Sequence, residues 1–142
     1  MNAPSGPTGI KNQELVRDNF IVVCHPRLLP GGNRFESPAE LSGCPLVHTH
    51  WYPEDLTAPT WERWSELAAR YYDETMNLGE SHSLQFHEDI QAIDAALNGA
   101  GLLIVSDFLV AQELDAGNLV KAIDFALPGY GFYLCYREDH PH

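Results

Sequence analysis

Between Ile90 and Val120 the chain reads IQAIDAALNGAGLLIVSDFLVAQELDAGNLV, and no other stretch narrows the fold so far. Ile90, Ile93, Ala96 and Leu97 recur at helical spacing, so this segment predicts a helix with those residues inward. Gly99 and Gly101 then stop the helix and let the chain turn tightly into Leu102-Leu103-Ile104-Val105. A run without a polar member suits a strand covered on both faces, as in a parallel sheet. Ser106 is placed to cap a second helix whose apolar positions are Phe108, Leu109 and Leu114; Gly117 closes it before a strand at Leu119-Val120. Strand alternating with helix argues for an α/β domain, with an open, mostly parallel mixed sheet flanked by helices, rather than a bundle or a sandwich.

The rest of the chain can be read in the same way. Met1 to Asn12 is rich in Pro, Gly and Ser and reads as a flexible lead, leaving 13–142 as one folded unit. Strands are expected at Asn19 to Cys24, Leu46 to Thr49 and Ser83 to Phe86. Pro26 to Arg34 is a loop containing the turn Pro30-Gly31-Gly32-Asn33, and Pro38 to Leu41 is a short helical turn. After a loop from His50 to Pro59, Thr60 caps a helix reaching about Tyr72, with Trp61, Trp64, Leu67, Ala68 and Tyr71 on its inner face. The next helix starts near Glu88 or Asp89.

Composition excludes several classes of function. With 142 residues and 44% hydrophobic content, the chain can bury one core. Twenty Asp and Glu against eight Lys and Arg give a formal charge of -12. Contact with nucleic acid through this segment is therefore not expected, because phosphate neutralisation needs clustered cations. The scattered acids read as a solvated surface. No apolar run is long enough to span a membrane, and the lead lacks the basic start and apolar core of a secretory signal. Cys24, Cys44 and Cys135 are widely spaced with no C-x-x-C pair, and read as free thiols in a reducing cytoplasm, Cys24 and Cys135 within strands.

Open α/β sheets bind ligands beyond the carboxyl ends of their strands. Two such places carry chemistry: His48-Thr49-His50-Trp51, and Phe86-His87 entering a helix start. Amide groups at a helix N-terminus favour a carboxylate or phosphate. The Thr49 hydroxyl adds a hydrogen bond, and Trp51 or Phe86 can cover an apolar part of the ligand. Each has a plainer use: Thr49 in satisfying loop backbone, Phe86 in the core, Trp61 and Trp64 in anchoring their helix. His48, His50 and His87 also raise a metal-dependent, hydrolase-like alternative, with Glu54 or Asp55 as base or ligand. That alternative is weak, because H-x-H stands without H-E-x-x-H or G-x-S-x-G. We expect no catalytic residue, no metal and no cofactor.

These segments also carry a resemblance. Phe20 to Leu29, then Ser37-Pro38-Ala39-Glu40-Leu41, Pro45-Leu46-Val47-His48, Trp61-x-x-Trp64, the paired alanines with G-x-G and an apolar strand, Leu114 to Val120, and Tyr130 to Tyr136 are similar, in order and spacing, to the effector-binding domain of LysR-type transcriptional regulators. The similarity runs from about Leu15 to Arg137. It implies one lobe, the second, of a two-lobed domain of the type 2 periplasmic-binding-protein kind, without the winged helix-turn-helix and first lobe that members carry ahead of it. It further implies that Thr49, His50, Phe86 and His87 help hold a small effector between lobes, with Asp107 a weaker candidate at the rim. The expected partners are a small effector, a carboxylate or aromatic acid, and further copies of the chain as an oligomer, a dimer first. DNA would be reached only through the winged helix. A solute-binding protein lobe shares the fold and is the remaining alternative, but it needs a secretion signal and both lobes.

Overall fold

The computed structural model describes residues 10–16, 18–52, 55–128 and 132–137. Its centre is a six-stranded mixed sheet. The strands are β2 (Asn19–Cys24), β3 (Leu46–Thr49), β4 (Ser83–Phe86), β5 (Leu102–Ser106), β6 (Val120–Lys121) and β7 (Leu127–Pro128). They lie in the order β4-β3-β5-β2-β6, with β7 also on β2. β3 runs parallel to both β4 and β5. β2 runs antiparallel to β5, β6 and β7, so among the named strands described the parallel pairs lie in the β4-β3-β5 half. A separate antiparallel ribbon joins β1 (Ile10–Val16) to β8 (Phe132–Arg137).

Two cores form because strand side chains alternate between faces. Phe20, Val22, Cys24, Leu46, Leu102 and Ile104 pack on one face beneath α1 (Trp61–Tyr72). Ile21, Val23, Val47, Leu103 and Val105 pack on the other beneath α2 (Asp89–Leu97). All five residues of β5 are buried, which is why its sequence shows no polar alternation. The Thr60 hydroxyl caps α1 by accepting from the Arg63 amide at 3.0 Å. Trp61 and Trp64 are 1% and 0% exposed, their rings 5.4 Å apart edge to face, and the Trp61 indole donates to the Val47 carbonyl at 3.0 Å. Helix α1 is thus bound to β3 by a hydrogen bond as well as by packing. The Trp64 indole nitrogen is buried without a hydrogen-bond partner among the described residues.

The turn from α2 into β5 depends on the absence of a side chain. A Cβ at Gly101 would lie 2.6 Å from the Pro45 carbonyl oxygen, which accepts from the Leu102 amide at 2.9 Å where β3 and β5 begin. Only glycine lets the two backbones meet there. At the far end of α3 (Ala111–Ala116), Gly117 takes the left-handed conformation, φ 79°, and its amide caps the helix at Glu113 and Leu114.

The structure changes four readings of the sequence. Tyr71 is 73% exposed and not on the inner face of α1, which consists of Trp61, Trp64 and Ala68, with Leu67 half-buried. Ile90 is 77% exposed; α2 instead buries Ala92 and Ala96, small residues that let the helix lie close on the sheet. Ser106 caps a turn rather than a helix: its hydroxyl accepts from the Phe108 amide at 3.3 Å, and α3 starts only at Ala111 with Val110 at its cap. Phe108 and Leu109 are accordingly 42% and 54% exposed. Finally, the lead expected to reach Asn12 gives way to strand at Ile10. Met1 to Gly9, Glu54 and Tyr130 lie outside the described residues. Cys24 and Cys44 are free thiols, and burial pushes the Cys24 thiol up to about 12, so it stays protonated.

Candidate functional site

One end of the sheet gathers the polar chemistry. The parallel strands β3, β4 and β5 all finish there, and β2, being antiparallel to β5, starts there with Phe20 opposite Ser106. The register Thr49↔Phe86 continues one residue beyond the strands, where the His50 amide donates to the Phe86 carbonyl at 3.0 Å. His50 and His87 are therefore neighbours, their ring centroids 5.4 Å apart. Phe86 is half-buried and packs against the core under α2. The Thr49 hydroxyl accepts from the Trp51 indole at 2.9 Å, leaving its own proton free to donate.

Asp107 reaches the same end but is engaged structurally. Its amide donates to the Asn19 carbonyl at 2.9 Å, and its carboxylate accepts from the Asn19 amide at 3.2 Å, closing the β2/β5 ladder. Beside it, the Ser106 hydroxyl donates to the buried Asp18 carboxylate at 2.8 Å.

Three cavities at this end are lined in part by Trp51, and two of them lie against the strand ends. One, of about 210 Å³, lies against the start of α1 and is lined by His48, Thr49, Thr60, Glu62 and Gln85. The other, of about 240 Å³, is lined by Asp18, Phe20, Asp89, Ser106, Phe108 and Leu109. Trp51 and Ile104 line both. The indole of Trp51 is held by its hydrogen bond to Thr49 and by an edge-to-face contact with Phe20 at 6.2 Å. Each volume lies below the ~300 Å³ at which drug-sized pockets begin, so each suits a small metabolite.

The electrostatics of this wall are lopsided. Among the described residues, Asp18, Glu62 and Asp89 line these two cavities without a Lys or Arg, while Arg63 lines the adjoining one that shares Trp51, Thr60 and Glu62. Burial pushes the Asp89 carboxyl up from its ordinary value. Burial also pushes the His48 imidazole down, against an opposing pull from Glu62, and its Nε2 lies 3.1 Å from the Ser83 hydroxyl. The three histidines read together in the sequence are thus divided, with His48 at Ser83 and His50 with His87. Among the described residues, no group of three or more His, Cys, Asp or Glu side chains is placed to hold a metal ion.

All five candidate residues therefore reach the same end of the sheet, but only Thr49 lines either of these two cavities. The reading of the sequence missed Asp18, Phe20, Asp89 and Phe108. Asp18 and Phe20 lie at the start of a strand, and they join the ends of the others only because β2 runs antiparallel. Strand direction leaves no mark in a single apolar run. The expectation of Phe108 on a helix face gives way to a turn, for which a capping serine two residues ahead of it is the local signal.

The fold recurs in known regulators. The effector domain of the transcriptional regulator AmpR of Pseudomonas aeruginosa superposes with a TM-score of 0.60 at 18% identity, covering 96% of this chain and 59% of that one. The regulatory domain of AphB from Vibrio vulnificus, treated with cumene hydroperoxide, gives 0.65 at 14% identity, covering 98% and 65%. By sequence, the chain is 28% identical over 124 residues to the HTH-type transcriptional regulator y4mQ of Sinorhizobium fredii, covering 80% of this chain and 37% of that protein. It is 25% identical over 136 residues to the glycine cleavage system transcriptional activator of Escherichia coli K12, covering 92% and 39%. The chain spans under two-fifths of the length of these two transcription regulators. The model of the LysR substrate binding domain matches residues 1–142. With an open mixed α/β sheet and that match over its whole length, the chain belongs to the LysR substrate-binding-domain family.

Proposed function

We propose that this chain is one lobe of the effector-sensing part of a bacterial LysR-type transcriptional regulator acting in the cytoplasm. The observation that carries the reading is the convergence of three strand ends and one strand start on two small cavities that share Trp51. This is where an open α/β sheet takes its ligand. Among the described residues no helix is long and apolar enough to cross a membrane.

A small metabolite, a carboxylate or an aromatic acid, lies across this wall and is closed over by a companion lobe. Thr49, His50 and His87 offer polar groups to it, Phe86 an apolar face, and Asp107 stiffens the rim. Binding favours one arrangement of the two lobes. Because such domains pair in an oligomer, the change re-sets the spacing of DNA-binding heads carried elsewhere in the regulator. The lobe itself performs no chemistry.

The test is amide-resolved NMR of this chain titrated with benzoate and a panel of small aliphatic carboxylates. Shifts confined to Thr49, His50, Trp51, Phe86 and His87, with affinity weaker than micromolar because this lobe supplies one wall of the cleft, are expected. A panel that shifts nothing at millimolar concentration, or shifts only residues at the opposite end of the sheet, refutes the reading.

A further inference from the structure

We infer that the chain carries a second ligand site, at the end of the sheet away from Trp51, that takes a medium-chain aliphatic carboxylate. β6 pairs with the last two residues of β2, Val23 and Cys24, whereas Phe20 at the other end of β2 lines a Trp51 cavity. Beside β6 lies a cavity of about 470 Å³, larger than the two of about 210 and 240 Å³ at the strand ends. It falls within the ~300–1,000 Å³ range of small-molecule pockets. Two stretches of chain enclose it. Leu114 in α3, then Leu119, Val120 and Lys121 where the chain returns after Gly117, form one wall; Leu29 and Arg34, from the turns that follow β2, form the other.

The lining selects the ligand. Four side chains are aliphatic and two are cations, and none is acidic or aromatic. The cavities at the strand ends have the opposite character, with Asp18, Glu62 and Asp89 beside Phe20, Trp51 and Phe108. An anion with an aliphatic body therefore suits the site by β6, and an aromatic ring or a cation does not. A second charge at the far end of the ligand would be desolvated against leucines, so a monocarboxylate fits and a dicarboxylate does not.

The cations are available to such a ligand. Lys121 is half-buried, and among the described residues its ammonium has no hydrogen-bond or ion-pair partner. Its stem lies along apolar surface and its charge is partly withdrawn from water, a cost that a bound carboxylate offsets. Arg34 donates through Nη1 to the Asp124 carboxylate, which leaves its other N–H groups able to donate. Arg34 and Asp124 offset one another in charge, so Lys121 makes the site positive in a chain of net charge -12. The inference goes beyond the effector reading above and does not rest on it, since this cavity shares no lining residue with those at Trp51.

The experiment is amide-resolved NMR of the 142-residue chain titrated with octanoate. Shifts are expected at Leu29, Arg34, Leu114, Leu119 and Lys121. Octanol, with the same chain and no charge, should bind there about tenfold or more weaker, the value of a charge-assisted hydrogen bond. Butanoate should also be at least about tenfold weaker, because each buried methylene contributes up to about fourfold. Octylammonium, acetate and benzoate should leave these five residues unmoved, so this site and the strand-end reading fail separately. Lys121→Met keeps an apolar stem and should weaken octanoate at least fivefold while leaving octanol unchanged, with the urea midpoint as the check on folding. Octanol binding as tightly as octanoate, an unchanged octanoate affinity in Lys121→Met, shifts only around Thr49 and Trp51, or no shift at millimolar octanoate would each overturn the site. The octanoate and octanol comparison decides the matter even where the variant fails to fold.

Discussion

Gly101→Ala tests the packing that holds the parallel half of the sheet. The new methyl carbon would sit 2.6 Å from the Pro45 carbonyl oxygen, 2.9 Å from its carbonyl carbon and 3.2 Å from the amide nitrogen of Leu46, which itself donates to the His82 carbonyl. All three atoms are backbone, so no side chain can swing aside. Forcing a methyl into such a place costs about 1–3 kcal/mol. The shift also weakens the 2.9 Å bond from the Leu102 amide to the Pro45 carbonyl, a further ~1 kcal/mol. The total is about 2–4 kcal/mol, a large part of the roughly 5–15 kcal/mol by which a domain is stable.

Gly117→Ala is the control. That position has φ 79° and nothing within 4 Å of a built Cβ, so the change costs only the left-handed backbone, about 1–2 kcal/mol. Both variants lose the same chain entropy advantage of glycine in the unfolded state, which therefore cancels in the comparison. Urea unfolding followed by circular dichroism should place Gly101→Ala at least ~1 kcal/mol below Gly117→Ala, since its range of costs is centred that much higher. For a chain of 142 residues, an unfolding entropy near 0.3 kcal/mol/K turns the Gly101 penalty into a fall in Tm of roughly 7–13 °C. If the two variants unfold within ~0.5 kcal/mol of one another, the β3/β5 backbones relax freely and the close-approach argument is wrong.

Two further outcomes follow from the buried tryptophans and from His48. Trp61→Phe removes the indole bond to the Val47 carbonyl and should cost about 1–3 kcal/mol more than the packing change alone, whereas Trp64→Phe deletes an indole N–H that has no hydrogen-bond partner among the described residues; equal losses in urea midpoint would contradict the assignment. For His48, burial holds the folded imidazole below its usual pKa, so the unfolded chain takes up a proton first as pH falls. The His48 contribution is therefore intact above the unfolded value of about 6.5 and is lost as pH drops below it. His48→Gln should flatten the fall in stability between pH 7 and 5.5, and an unaltered slope would show that another group is responsible.

Local chemistry made most of the elements legible in the sequence. The bounds of β2, β3, β4 and α1 follow from apolar runs, two glycines, several prolines and the Thr60 cap, all of which act within a few residues along the chain. The family was legible for the same reason, since its marks are short segments in order. What failed was orientation and depth. Tyr71 and Ile90 fit an amphipathic pattern, yet whether a helix position meets the sheet depends on how the helix rolls, and α2 chose its alanines over its first isoleucine. Of the site, Thr49, His50, Phe86 and His87 could be placed because parallel strands end where their sequence ends. Asp18 and Phe20 could not, because the direction of β2 beside β5 is fixed by long-range pairing between Phe20–Val23 and Leu103–Ser106. The pairing of His50 with His87 rather than with His48 was likewise decided by the β3/β4 register. The sequence by itself determined the elements, the strand ends and the family. Tertiary structure decided which strand starts join those ends, because contacts between residues far apart in the chain leave no periodic trace in either segment alone.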